Sequence, residues 1–503
     1  MSYVGKLRGV AAVAMLASVS LLAGSAVAVA APTELTIALS GDIPTLDPSK
    51  DTSPIGLNYR LNVFEALTQL DRDGKVQPQL AESWTHSDDW TEWTFKLRPG
   101  VKFHDGSAMT AADVVFTIDH VLADKTSPVR TFMRLVKSAE AVDDHTVKFT
   151  LTQGYATFDR QAKYLYIMSK AYYDKAGDTG YASKPIGTGP YRLTEWVKDD
   201  HMTLEAFPDY WGGEPAIKKG IFHPIPSDSA RANALLSGEV DLVPSLPPSL
   251  MDMLKGNAGL KVATAPGYRV AFMEMDPTRA PFDKPQIRQA VDVGIDRVAI
   301  SDRLLRGTAK ASGIIVPPSN VGYDASLTPT PYDPALAKKL VQESGYDGTV
   351  FKLDYPNNNF PMANEVAQAI ASYMTDAGLK VELNPMEFTA FFPAWVQNKV
   401  SPVYYFAYGS SQFTAESVLS TLYETGGSPA GHHTDPQIDT IMKAERAEQD
   451  PAKKQALITQ ALRLGNQDRQ ILPLYEMLQV YGAKADIDYV PYPDEIVRLA
   501  TFK

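Results

Sequence analysis

The sequence predicts an α/β protein of more than one lobe with an additional α+β segment, and three observations lead there. The chain has 503 residues, which at roughly 100 to 200 residues per domain exceeds what one core needs. Its hydrophobic content of 44% is enough to give each lobe a core. The period of the apolar residues also changes along the chain. Strand-like alternation dominates early, and helix and strand periods take turns after about residue 270.

The first thirty residues have the grammar of an export signal: Lys6 and Arg8, an uncharged stretch from Val10 to Ala23, then small residues ending in Ala28-Val29-Ala30. Cleavage is expected near Ala30. A retained anchor is the alternative, but Val10 to Ala31 is rich in Ala, Ser and Gly, which gain little from hydrocarbon. Leu35, Ile37 and Leu39 then alternate with Glu34, Thr36 and Ala38, the period of a strand with one face on a core. A turn-rich loop, Ser40 to Pro48, follows. Trp93, Phe95 and Leu97 alternate likewise, as do Val147, Phe149 and Leu151, and these read as strands of an antiparallel sheet. Between them Thr110 and Asp113 resemble a capping box with Asp in place of Glu, and Val114, Val115, Ile118, Val121 and Leu122 share one helical face. The α+β segment runs over residues 52–182. Later, Asp333-Pro334 caps a helix whose stripe is Leu336, Leu340 and Val341 and whose stop is Gly345. A strand from Thr349 to Tyr355 comes next, then a helix through Met362, Val366, Ile370, Tyr373 and Ala377, then a strand from Lys380 to Leu383. That order is a βαβ unit with a right-handed crossover. Further helices start at Asp283-Lys-Pro285 and Asp450-Pro451.

Composition removes several classes of function. Without cysteine there is no disulfide framework, thiolate metal site, iron–sulfur cluster, Cys nucleophile or lipid attached at an N-terminal Cys. A net charge of -11 disfavours nucleic acid, which needs a basic face to release counterions. Catalytic machinery is not visible either. No Gly-x-Ser-x-Gly elbow occurs, and Asp143-Asp144 and Asp199-Asp200 lie in polar turns. Phe103-His104-Asp105-Gly106 reads as a structural turn rather than a His/Asp pair. Gly187-Thr-Gly-Pro190 lacks the Lys of a phosphate loop and reads as a tight bend. His432, His433 and Asp435 form the one dense group of potential metal ligands; their Gly-rich setting suits a loop, with a solvated or carbonyl-bonded pair favoured over a metal. No catalytic residue, cofactor or metal is therefore expected.

Several segments resemble the family 5 extracytoplasmic solute-binding proteins, the peptide, opine and nickel receptors of ABC importers. They are Leu80 to Trp84 with Phe95 to Gly106 and Thr110 to Phe116; Pro185 to Tyr191 with Pro208 to Gly213; and Ala234 to Asp241. Pro281-Phe282 with Ile287 to Ala290, Ile295 to Arg297, Asp439 and Asp450-Pro451 complete the series, in family order over nearly the whole mature chain. The resemblance implies a two-lobed, periplasmic-binding-protein-like clamshell of type II with an inserted α+β subdomain. Mapped here, lobe I would take residues 31–51, 183–268 and 480–503, the insertion 52–182, and lobe II 269–479. It implies a monomeric periplasmic receptor, exported by a cleaved signal and not a lipoprotein, that passes a small organic solute to inner-membrane permease subunits with a cytoplasmic ATPase. The solute would be peptide or peptide-like, with an opine, a sugar conjugate or a nickel chelate as alternatives and a secreted hydrolase as the reading from another class.

Candidate solute contacts follow from the same resemblance. In the family's peptide receptors the strand end corresponding to Tyr408, Gly409, Ser410, Ser411 and Gln412 carries an Asp that holds an ammonium group, and Ser411 stands in that place. The acid is gone, so an ammonium would need another carboxylate such as Asp42 or Glu416, while Ser and Gln suit hydroxyls and amides. A polar loop without solute contact is the plain alternative. Tyr268, Arg269 and Phe272 sit at the first crossing to lobe II, where Arg269 would bind a carboxylate or make an interlobe salt bridge. Asn357, Asn358 and Asn359 follow a predicted strand, either as a crevice contact or as a turn. Tyr475, at the return crossing, is either a solute contact or a core residue.

Overall fold

The computed structural model describes residues 33–357, 359–426, 435–448 and 450–502. The expected signal segment, Asn358, His432 and His433 lie outside the described residues.

One eleven-stranded mixed sheet runs through both lobes. From one edge its order is Val381–Met386, Phe351–Pro356, Val403–Tyr408, Leu260–Met275, Ile471–Lys484, Leu242–Val243, Glu34–Leu39, Lys219–Pro224, His201–Ala206 and Tyr191–Val197, with Ala309–Ala311 added on Ile471–Lys484. The sheet is continuous because two strands are unusually long. Leu260–Met275 spans 16 residues and Ile471–Lys484 spans 14, and they pair antiparallel from Leu260 with Lys484 to Glu274 with Ile471. Their ladder slips between Pro266 and Val270, where a bulge bends the pair and leaves Gly267 against the return strand. A Cβ on Gly267 would lie 2.4 Å from the Met477 carbonyl oxygen, so a side chain cannot be accommodated there.

Each part has its own core. The alternation of Leu35, Ile37 and Leu39 gives a strand that pairs parallel with both Lys219–Pro224 and Leu242–Val243. Ala38, expected on the outer face, is also fully buried, because helix Asp228–Ser237 and its neighbours cover that side. The α+β segment forms a separate four-stranded antiparallel sheet, Ala81–His86, Glu92–Leu97, Thr146–Leu151 and Val136–Asp143. Trp93, Phe95, Val147 and Phe149 pack beneath helix Ala111–Ala123, on which Val114, Ile118 and Val121 are buried. Truncating a buried ring such as Phe95 to Ala would cost about 3 to 5 kcal/mol. The helix starts as the sequence indicates, with the Thr110 N–H donating to Asp113 Oδ2 at 2.9 Å. Helix Pro54–Val63 and Tyr181 contribute side chains to the core that also holds Leu35, Tyr191 and Phe502.

The later half carries the expected βαβ unit. Phe351–Pro356 pairs parallel with Val381–Met386 across helix Ala363–Asp376. Helix Pro334–Glu343 is capped by Asp333, whose Oδ1 accepts the Leu336 N–H at 2.9 Å. Two arginines of the family motifs clamp this half. Arg288 donates to the Asp468 and Phe282 carbonyls at 2.8 and 2.7 Å. Arg297 donates to Asp292 at 2.6 Å and to the Pro473 carbonyl at 2.8 Å, tying helix Pro285–Gly294 to the return strand. Only 4% exposed, Arg297 is paired with Asp292 and donates from each of its three nitrogens, the condition under which an interior charge is tolerated.

Candidate functional site

Where the two long strands cross, a cavity of about 170 Å³ opens between parts of the chain remote in sequence. Pro244 to Leu246, Leu305, Thr308, Ala309, Asn359 and Glu495 line it together with Arg269, Tyr475 and Gln479 of the two long strands. Arg269 Nη2 donates to both Glu495 oxygens at 3.1 and 3.2 Å, and the guanidinium lies 5.4 Å from the Tyr268 ring centroid. Burial opposes the charge on Arg269, but the Glu495 carboxylate more than offsets it and the pKa is raised. Tyr475 is 1% exposed and its hydroxyl is hydrogen-bonded to that of Tyr405.

A second cavity of about 180 Å³ lies between the inserted segment, the C-terminal tail and the loop after Val403–Tyr408. Its charged residues include Glu65, Lys163, Asp494 and Arg498. Glu65 is 1% exposed; Tyr210 donates to its Oε1 at 2.8 Å and Trp211 to its Oε2 at 2.9 Å. Desolvation nevertheless pushes its carboxyl up to about 7. Desolvation likewise pushes the Lys163 ammonium down to about 7. Asp494 and Arg498 pair at 2.6 Å, and the Arg498 guanidinium stacks 4.0 Å from the Tyr492 ring centroid.

The inserted segment reaches across this cavity to the loop at 409–412. Lys163 donates to the Ser411 carbonyl at 2.5 Å, and the Tyr164 hydroxyl bonds Ser411 Oγ at 2.7 Å. Arg160 Nη1 donates to the carbonyls of Gln412 at 2.6 Å and Gly74 at 2.7 Å. Three consecutive-turn side chains thus hold that loop, two of them through its backbone.

The residues singled out in sequence divide by position. Arg269 and Tyr475 line the first cavity and Ser411 the second. Tyr268 packs beside Arg269 and, at 5.6 Å between centroids, against Phe413. Gly409 lies so close to Tyr268 that a Cβ would meet its carbonyl oxygen at 2.1 Å. Ser410 is buried and accepts the Gln412 N–H through its Oγ at 3.2 Å. Tyr408 turns away from both cavities, donating to Thr421 Oγ1 at 3.1 Å. Phe272 is fully buried against Tyr404 and Phe406. Asp42 is used within the first lobe, accepting from Trp196 Nε1 at 3.1 Å and the Asp199 N–H at 2.8 Å. Glu416 is engaged by Arg446 at 3.4 Å. Asn357 lines neither cavity, and its Oδ1 is buried without a partner among the described residues. Asn359 does line the first. Sequence reasoning missed Lys163, Tyr164, Glu495 and Arg498, which carry no motif and reach the junction only through the fold.

His104 is held in the structural role expected of it. Its Nδ1 accepts the Gly187 N–H at 3.2 Å and its Nε2 donates to the Gly189 carbonyl at 3.0 Å, clasping the Gly187-Thr-Gly189 bend. Burial lowers its pKa to about 4, so the imidazole is neutral in that clasp.

A chain that passes twice through the junction of its lobes and lines that junction with charged cavities has the form of a two-lobed binding protein for small solutes. Residues 75–430 match the bacterial extracellular solute-binding proteins, family 5, and the chain belongs to that family. It is similar to the glutathione-binding protein GsiB of Escherichia coli K12, 28% identical over 457 residues that cover 88% of each chain. Among solved structures it resembles CtaP of Listeria monocytogenes, an ABC transporter substrate-binding protein, with TM-score 0.83, 25% identity and coverage of 94% of this chain and 99% of that one. It also resembles MoaA of A. tumefaciens R10 in complex with mannopinic acid, with TM-score 0.73, 26% identity and coverage of 93% and 99%.

Proposed function

We propose that this chain is the periplasmic receptor of an ABC importer, capturing a peptide-like solute between its lobes and delivering it to inner-membrane permease subunits. The observation that carries this reading is the first cavity, whose wall is drawn from both ends of the lobe crossing and contains a cation and an anion. A solute that touches both sides binds the closed arrangement better than the open one, and that differential affinity is what moves the population. We take residues 31–51, 183–268 and 480–503 as one lobe and 269–479 as the other, with 52–182 as an insertion that latches onto the second. The chain acts as a monomer after removal of residues 1–30.

The similarity to GsiB supports glutathione or another short peptide as solute. The MoaA similarity favours an opine as the second reading. A thermal-shift panel of glutathione, di- to pentapeptides and opines tests both. A true solute at 100 times its dissociation constant adds about 2.7 kcal/mol of stability. No stabilisation by any member of the panel would refute the proposal.

A further inference from the structure

We propose that the first cavity binds an α-amino-acid head group, an ammonium and a carboxylate on one carbon, with Glu495 and Gln479 taking the ammonium and Arg269 the carboxylate. This deepens the receptor reading above and rests on it.

Of the residues lining that cavity, Arg269 and Glu495 alone are charged, one of each sign. Their pairing is incomplete in a specific way. Both carboxylate oxygens share the single Nη2 of Arg269, so Nε and Nη1 make no hydrogen bond among the described residues. A bidentate pair would offer two parallel N–H groups to the two oxygens. Here half of the fork is left for a second carboxylate, and the carboxylate lone pairs of Glu495 directed away from Arg269 are left for a donor.

Gln479 supplies the independent observation. It is 4% exposed, and its Nε2 donates to the carbonyls of Pro266 and Tyr492. Those two acceptors fix the amide orientation, because reversing it would set Oε1 against two carbonyl oxygens. Gln479 Oε1 is therefore an acceptor, and it is buried without a partner. An acceptor buried in that state keeps its desolvation penalty, which a donor would relieve if the cavity wall that Gln479 helps to form yielded to admit it. The Tyr492 carbonyl also accepts the Glu495 N–H at 3.1 Å, so one oxygen draws the Gln479 amide and the Glu495 backbone together. Glu495 itself sits at φ 67°, a left-handed conformation that a non-glycine residue holds only at a cost.

Two acceptors and half a guanidinium fork match three N–H donors and a carboxylate. They do not match a lone ammonium, which would leave the fork empty, or a lone anion, which would face Glu495. Glu495 thus supplies in the first cavity a carboxylate of the kind that Ser411 lacks in the second.

The test uses two isomers with identical atoms and net charge, γ-glutamylalanine and α-glutamylalanine. Only the γ-linked isomer keeps the ammonium and carboxylate on one carbon. Calorimetric titration of the wild-type protein should show the γ-linked isomer binding at least ~10-fold more tightly. Glu495→Gln should weaken that isomer about 30-fold or more, the cost of removing one member of a hydrogen-bonded charge pair, with an unchanged thermal midpoint as the control for folding. Equal or inverted preference in the wild-type protein overturns the head-group assignment whatever the variant does. So does binding of other peptides or opines with neither isomer bound, an outcome that leaves the receptor reading standing. Absence of binding by isomers, peptides and opines alike overturns both.

Discussion

Glu65→Gln isolates one electrostatic tension beside the junction. The carboxyl is buried and hydrogen-bonded to Tyr210 and Trp211, yet desolvation outweighs those bonds and raises it from 4.5 to about 7. A group whose pKa is raised on folding stabilises the folded state fully below its unfolded pKa, and that stabilisation is lost as pH rises through the folded value. For Glu65 the window is therefore about 4.5 to 7, with stability falling as pH increases. At 1.36 kcal/mol per pH unit the loss is about 3 kcal/mol. Glutamine keeps one acceptor oxygen and the shape of the side chain but cannot ionise, so it removes this pH dependence. Urea denaturation of ligand-free protein at pH 4.5 and pH 8, followed by tryptophan fluorescence, reads the difference between wild type and variant. The variant should gain about 3 kcal/mol on the wild type between the two conditions. A difference that stays constant to within about 0.5 kcal/mol would show that Glu65 is already ionised in the fold, and the burial argument would be wrong.

Arg269→Ala should weaken solute binding at least ~10-fold while leaving the thermal midpoint within a few degrees, whereas Tyr408→Phe, which loses only a bond to Thr421, should leave affinity unchanged in the same titration. Gly409→Ala drives a methyl to 2.1 Å from the Tyr268 carbonyl oxygen, so the crossing strand must shift; a lowered midpoint by calorimetry is expected. Arg160→Ala removes charged hydrogen bonds to Gly74 and Gln412 that contribute roughly 1.5 to 3 kcal/mol each. Small-angle scattering should then show a larger radius of gyration for the ligand-free protein, and an unchanged radius would count against the latch.

Local patterns in the sequence foretold local structure well, because they act over a few residues. The Thr110–Asp113 box, the Asp333 cap and the alternation of Trp93, Phe95 and Leu97 each specify an element without help from distant chain. Boundaries moved where tertiary contact intervened: the strand expected from Thr349 begins at Phe351, and helix Ala363–Asp376 begins one residue after Met362, which sits at φ 57°. Motif residues proved to be clamps, Arg297 on the return strand and His104 on the Gly187 bend. Cavity-lining residues were legible where a crossing strand or a strand end could be anticipated, as for Arg269, Tyr475 and Ser411. Glu495 comes from a loop and Lys163 from the short 3-10 helix Ala162–Tyr164, each more than two hundred residues away from its partner, Arg269 or Ser411, and no period or spacing encodes such a meeting. Tyr408 and Asp42 lie outside both cavities, and neighbours, Thr421 and Trp196, already use their polar atoms.

The proposed function assigns closure and recognition to different atoms of this chain. The latch of Arg160 and Lys163 grips carbonyl oxygens of Gln412 and Ser411, groups that every residue possesses. On that proposal such contacts would favour a closed form equally for any solute that fits, and would set how readily the lobes shut without distinguishing one guest from another. Discrimination must then come from side chains whose polar atoms are still unfilled when the latch is made. Arg269, Glu495 and Gln479 meet that condition, and all three line the first cavity, whereas Lys163 and Ser411 line the second. Substitutions at Arg160 should accordingly scale the affinities of all solutes by one factor, while substitutions at Glu495 should reorder them.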